Sequence, residues 1–229
     1  MRSIVFDAGP IISLATNNLL WILPHLKKEY NGKFCVTESV KRELIDHPME
    51  TRKFKFEAIQ IQRLIEEGTL EVMGSEFIDA QTPRMLETAN RIFMAFNNYM
   101  KIVHYAEMSV IAAAMEQKSD AIVIDEKTTR LIMENPKLMM EILRKTLHTP
   151  IKLNENNLKE FRNMAKDIKA IRSVELVAIA YEQGILDEYI TKMPDARKNL
   201  LESVLWGVKL NGCAVSKEEI EQIMRLEQK

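Results

Sequence analysis

The chain predicts an α/β protein, a parallel sheet of five strands layered between helices, followed by an all-helical C-terminal extension. Three observations point there. Short β-branched or aromatic runs alternate with stretches of helical period through the first 153 residues. The first run, Ser3-Ile-Val-Phe, ends on Asp7, and Gly9 and Pro10 then turn the chain into a helix. From about Asn154 onward only helical spacing remains. The expected division is therefore a sheet domain over 1–153 and a helical extension over 154–229. At 229 residues, 46% of them hydrophobic, the chain can bury a sizeable core.

Five strands are expected at 3–6, 34–36, 69–73, 121–124 and 150–153. After the first, residues 11–14 and 19–26 read as helix, with a break at Asn17-Asn18. Thr37 is placed to cap a helix through Ile45, where Val40 and Leu44 form an apolar pair one turn apart, and Pro48 stops it. Phe54, Ala58, Ile61 and Ile65 repeat at helical spacing, with Gly68 as the C-cap. Residues 74–83 read as a loop. Met85, Ala89, Ile92, Phe93 and Phe96 mark a helix ending near Asn97-Asn98. The stretch 105–117 is apolar almost all round, so it is a buried helix.

In the extension, Val174, Val177, Ala178 and Tyr181 define one helix closed by Gly184. A second begins near Ala196, carries Leu201, Val204, Leu205 and Val208, and is closed by Gly212. Ser216 and Glu219 have capping-box spacing for a last one. Trp21 and Trp206 lie in apolar periodic stretches and belong to the core.

Composition narrows the function. Charged residues are 28% of the chain but sum to −1, so no bulk basic field recruits nucleic acid and any such contact is local. Cys35 and Cys213 stand alone and the four histidines are scattered, without C-x-x-C or H-E-x-x-H spacing. That argues against zinc and against a disulfide framework, and favours a reducing cytoplasm. No secretory leader is expected, because Asp7 interrupts the first apolar run, and no run approaches the ~20 residues that span a bilayer.

The chemistry is expected at four carboxylates. Asp7 and Asp125 each end a β-branched run, and adjacent parallel strands would carry both to the carboxyl edge where α/β sheets bind ligands. Asp125 is also a natural N-cap for the helix that follows it. Glu107 stands in the first turn of the apolar helix, where a helix dipole favours an acid but does not require one. Glu43 borders the apolar Val40–Leu44 face, although Lys41 and Arg42 beside it also suit a solvated surface. Acids crowded into one cleft repel unless a cation neutralises them. An all-oxygen set suits Mg²⁺ or Mn²⁺ rather than zinc.

These residues resemble the PIN-domain family of metal-dependent nucleases, which includes VapC-type toxins. The matching stretches are Ile4-Val-Phe-Asp7-Ala-Gly-Pro-Ile-Ile-Ser13-Leu, Val36-Thr-Glu-Ser-Val-Lys-Arg-Glu43-Leu, Ala106-Glu107-Met-Ser-Val-Ile-Ala-Ala-Ala and Ala121-Ile-Val-Ile-Asp125-Glu-Lys-Thr-Thr-Arg130. The resemblance implies a five-stranded parallel sheet sandwiched by helices and an acidic site that cuts RNA with Mg²⁺ or Mn²⁺. By position it makes Asp7, Glu43, Glu107 and Asp125 catalytic metal ligands, some through water. Glu126 would assist Asp125, and Ser13 would be a polar support. It implies an RNA substrate, with an antitoxin-type protein partner or an RNA-processing role, and self-association as an option. Two positions depart from the family's pattern. Gly9 stands where many members have Ser or Thr, and Ala106 where many have Gly.

Lys41, Arg42, Lys127 and Arg130 lie near the proposed ligands and are candidates for phosphate contacts. The cluster Arg52, Lys53 and Lys55 and the series Lys166, Lys169 and Arg172 read as solvated faces. Two other functions compete with an endoribonuclease. One is a PIN-like RNA- or protein-binding module without turnover. The other is a DNA-binding use of the last helices, disfavoured because the final helix carries Glu218, Glu219, Glu221 and Glu227.

Overall fold

The computed structural model describes residues 2–227. Its strands are β1 (Ser3–Phe6), β2 (Lys33–Thr37), β3 (Glu71–Met73), β4 (Phe93–Ala95), β5 (Asn98–Tyr99), β6 (Ala121–Val123), β7 (Lys152–Leu153) and β8 (Lys169–Ile171). Five of them form an all-parallel sheet in the order β3-β2-β1-β6-β8. From β1 the chain steps outward to β2 and β3, then returns to the other side of β1 for β6 and β8. The order therefore reverses between β1 and β6, and such a reversal opens a crevice at the strands' carboxyl ends.

The helices begin with α1 (Ala8–Thr16), α2 (Ile22–Tyr30), α3 (Glu38–Lys41), α4 (His47–Glu50), α5 (Lys55–Glu66), α6 (Glu76–Ala89) and α7 (Tyr105–Gln117). They continue with α8 (Lys127–Glu134), α9 (Pro136–Leu147), α10 (Glu155–Met164), α11 (Ser173–Glu182), α12 (Ala196–Leu210) and α13 (Lys217–Glu227). No helix among the described residues is long and apolar enough to cross a membrane.

One core runs through both halves of the chain. The central strand β1 is buried along its whole length, and Phe6 meets Phe34 of β2 with ring centroids 5.0 Å apart. Helix α7 is buried over nine consecutive residues, Ala106–Ala114, as its all-round apolar sequence requires. Phe6→Ala would empty the centre of this core and is expected to cost about 3–5 kcal/mol, read as a lowered urea midpoint with an unchanged slope.

The fold class stands, but the fifth strand is not where the sequence puts it. Residues 152–153 form β7, which pairs antiparallel with β4 in a separate three-stranded sheet. The fifth parallel strand is β8, inside the segment read as all-helical. Its sequence, Lys-Ala-Ile, is short and partly exposed at the sheet's edge, so it lacks the continuous apolar run of a central strand. The extension thus contributes a strand to the sheet as well as helices.

Three further expectations change. The helix after Thr37 runs past Pro48 to Glu50, because the chain widens into a π turn at Arg42–Asp46 and Pro48 sits in the first turn of α4, where a missing N–H is tolerated. The expected loop at 74–83 is mostly α6. Ser75 caps it by accepting from the Ile78 amide at 3.1 Å, and Pro83 lies on its solvent face. The expected helix through Phe96 ends at Ala89, and 93–99 form a hairpin. Phe96 and Asn97 both have positive φ, the backbone of a two-residue type I′ connection. Apolar residues at 92, 93 and 96 fit a helical period, and over so short a stretch the two readings coincide.

The remaining punctuation agrees with the sequence. Asn17 ends α1, Gly68 and Gly184 follow α5 and α11 with positive φ, and Ser216 and Glu219 form the reciprocal capping box of α13.

Candidate active site

Asp7 follows β1 and Asp125 follows β6 by one residue, so the reversal point of the sheet places them side by side. The Asp7 amide donates to the Val123 carbonyl at 2.9 Å, which fixes the first aspartate against the neighbouring strand. Gly9 lies between the two acids. A Cβ there would sit 3.7 Å from both Asp125 Cβ and Asp7 Oδ2, ordinary contact distances, so the site has room for the Ser or Thr common in the family.

Glu107 and Glu43 reach this edge from the helices above it. A buried hydroxyl cluster holds those helices together. Thr37 Oγ1 lies 2.7 Å from Ser109 Oγ, Ser39 Oγ lies 2.6 Å from the same atom, and Ser109 donates to the Ala106 carbonyl at 2.6 Å. It joins the end of β2, the start of the helix bearing Glu43 and the first turn of the helix bearing Glu107. Glu43 itself lies in the π turn, a distortion that recurs at functional sites.

Glu107 is buried, and its Oε2 accepts from Thr129 Oγ1 at 2.6 Å and from the His104 amide at 3.3 Å. Its Oε1 has no such partner among the described residues. Thr129→Val would release Oε2 with little change of shape and leave a buried carboxylate oxygen short of a donor, an expected cost of about 1–3 kcal/mol measurable as a fall in the urea midpoint.

The electrostatics of Asp7 are those of an uncompensated buried acid. Only 7% exposed, it has a pKa pushed up to about 7, first by burial and then by the charges of Glu107 and Glu43, against the nearby amides of Ala8 and Gly9. Burial likewise raises Glu107, opposed by its Thr129 hydrogen bond. Glu43 is raised by partial burial, although His104 and His47 pull the other way and the residue keeps a solvent-exposed surface. No ion pair among the described residues includes any of the four acids.

Asp125 is differently engaged. Its Oδ1 accepts from the Ser173 amide and its Oδ2 from the Ser173 hydroxyl, both at 2.7 Å. It therefore caps α11, from the C-terminal segment, while Glu126 caps its own helix by accepting from the Thr129 amide at 2.8 Å. Burial raises the Asp125 pKa and the Ser173 bonds oppose the rise. Cys213, also buried, is pushed up to about 12 by desolvation and by the Asp125 charge. Among the described residues no three of His, Cys, Asp and Glu converge tightly enough to form a metal cage.

The other expected residues are spread around this centre. Ser13 is fully buried and donates to the Val208 carbonyl at 3.3 Å, so it ties α1 to α12. Arg130 is turned toward Glu134 at 3.1 Å, and its Nε is buried without a hydrogen-bond partner. Lys127 and Arg42 are exposed and Lys41 is partly so. Arg172, expected on a solvated face, is buried and forks between Glu175 at 2.5 Å and Glu219 at 2.8 Å. Sequence reasoning missed Thr129, Ser109 and Ser173. For Ser109 a signal existed, a hydroxyl within an otherwise apolar helix.

A parallel α/β sandwich whose strand order reverses between two aspartate-ended strands, with glutamates gathered over that edge, is a nuclease-like fold. The family comparison agrees: a family described as "PIN domain" matches residues 3–141, more than half of the chain. The chain belongs to the PIN-domain family. No curated protein and no solved structure gives a significant match. The matched segment holds all four acids, whereas β8, Ser173 and Cys213 lie beyond it.

Proposed function

We propose that this protein is a divalent-metal-dependent endoribonuclease that hydrolyses RNA phosphodiester bonds. The observation that carries the reading is Asp7, a buried acid flanked by the charges of Glu107 and Glu43 and paired with no cation among the described residues. Such a group is held at high free energy when ionised, and a hard cation relieves it.

The donor set fits Mg²⁺ or Mn²⁺. Asp7, Glu43 and Glu107 offer only oxygen, and Mg²⁺ is bound by one or two carboxylates with water completing its shell, so a closed protein cage is not required. When bound, the ion would supply activated water near neutral pH and stabilise charge on a phosphoryl oxygen. Thr129 holds Glu107 in place, and the Thr37–Ser39–Ser109 cluster holds the two glutamate-bearing helices in register. In this reading Asp125 positions the crevice by anchoring α11 beneath it, with Glu126 as the cap of α8.

The test is hydrolysis of a single-stranded RNA with Mn²⁺, with Mg²⁺ and with chelator. Metal-dependent cleavage lost in Asp7→Asn supports the proposal. RNA binding without cleavage under any metal would instead identify a binding module that lacks turnover.

A further inference from the structure

Residues 51–56, Thr-Arg-Lys-Phe-Lys-Phe, are exposed one after another at the entry to α5. Phe54 is 41% exposed and Phe56 68%. Two aromatic rings two residues apart, both left in water, offer apolar surface to a ligand. Phe54 also adopts φ +62°, a left-handed backbone that bulky side chains rarely take. Such strain collects at functional sites.

The rings alternate with cations. Arg52, Lys53 and Lys55 enter no ion pair among the described residues, and Lys53 Nζ sits 4.6 Å from the Phe54 ring centroid. The segment also adjoins Glu43. Phe54 and Glu57 line a small apolar cavity of about 70 Å³ together with Glu43, so the exposed rings begin where one candidate ligand ends.

We infer that residues 52–56 are a binding subsite for single-stranded RNA, holding the strand beside Glu43. Phe54 and Phe56 stack on unpaired bases, and Arg52, Lys53 and Lys55 take the flanking phosphates. Stacking on phenylalanine is sequence-tolerant, because every base has a π-face. A protein partner would also cover exposed rings. Three unpaired cations interleaved with them in five residues match a polyanion better. The inference rests on the nuclease reading only for what happens to the bound strand, not for binding.

The experiment is fluorescence anisotropy of the full chain with a short labelled oligouridylate, in chelator so that no hydrolysis occurs. Phe56→Ala is expected to weaken binding about fivefold or more. Phe56 is surface-exposed, so that variant keeps the fold, which circular dichroism checks. A Lys53→Ala, Lys55→Ala double variant is expected to weaken binding and flatten the salt dependence by about 1.4 in log–log slope. The inference is overturned if the wild type does not bind oligouridylate, or if both variants bind as the wild type does. It is equally overturned if Phe56→Ala abolishes self-association in sedimentation while leaving RNA affinity intact, since the rings then face a second copy. Hydrolysis with Mn²⁺ is scored separately. Binding through these residues without cleavage sinks the nuclease reading alone, and cleavage with unaltered variant affinities sinks this subsite alone.

Discussion

Asp7→Asn is expected to abolish metal-dependent RNA hydrolysis and, in metal-free buffer at pH 8, to make the protein more stable. The two effects share one cause. The Asp7 pKa is raised from an ordinary 3.8 to about 7 in the folded protein. Below pH ~4 both folded and unfolded chains hold the proton, and the residue is neutral to stability. Between about 4 and 7 the folded state keeps a proton that the unfolded state has lost, so stability falls as pH rises. Above 7 the penalty is complete. At 1.36 kcal/mol per pH unit it reaches at most about 4 kcal/mol, with a full weight because Asp7 is almost wholly buried. For a chain of this size that is several degrees in thermal midpoint, at about 2–4 °C per kcal/mol.

An asparagine has the same shape and no charge, so the variant should lose the share of the decline between pH 5 and 8 that Asp7 contributes and keep only the smaller part due to the other buried acids. Mn²⁺ should recover the lost stability of the wild type at pH 8 and leave the variant unmoved. Thermal unfolding across pH, with and without Mn²⁺, reads all of this without relying on activity. If the variant melts no higher than wild type at pH 8 and keeps the same pH profile, Asp7 is not a strained anionic site and the metal assignment loses its support. The expected loss of hydrolysis is at least about a hundredfold, the scale on which even supporting residues of a metal site act.

How much of this was legible beforehand depends on which forces act locally. Asp7 and Asp125 announce themselves because a buried strand ending on an acid is a local pattern, and the strand order brings them together. The capping box at Ser216 and Glu219 and the helix ends at Gly68 and Gly184 are likewise decided within a few residues. What failed to show was decided at a distance. Strand β8 is three residues that become a strand only because β6 offers an open edge. Nothing around Ser173 indicates that its amide and hydroxyl will close on an aspartate 48 residues earlier. Arg172 looks like a surface cation until Glu175 and Glu219 arrive from two different helices to surround it. The Phe54–Phe56 segment is the opposite case. Phe54 reads as the first residue of a helical face with Ala58, Ile61 and Ile65, and only the fold reveals that it stands before α5 and stays partly in water, as does Phe56.

Asp125→Ala is the second large effect, and it separates the roles of two acids that look alike in sequence. Asp125 is 3% exposed, and both its oxygens accept hydrogen bonds from Ser173 at the N-terminus of α11. Alanine strands the buried Ser173 amide and hydroxyl, at about 1–3 kcal/mol each. A total of about 2–6 kcal/mol is expected, seen as a fall in the urea midpoint. Asn is itself a good cap and retains one acceptor oxygen, while shedding a charge that burial already disfavours. Asp125→Asn should therefore stay within about 1 kcal/mol of wild type and keep its Mn²⁺ affinity, whereas Asp7→Asn loses it. The contrast is decisive because both substitutions delete one carboxylate at the same edge. If Asp125→Asn loses Mn²⁺ binding as completely as Asp7→Asn does, Asp125 is a ligand rather than an anchor, and the C-terminal segment must release it for the metal to enter.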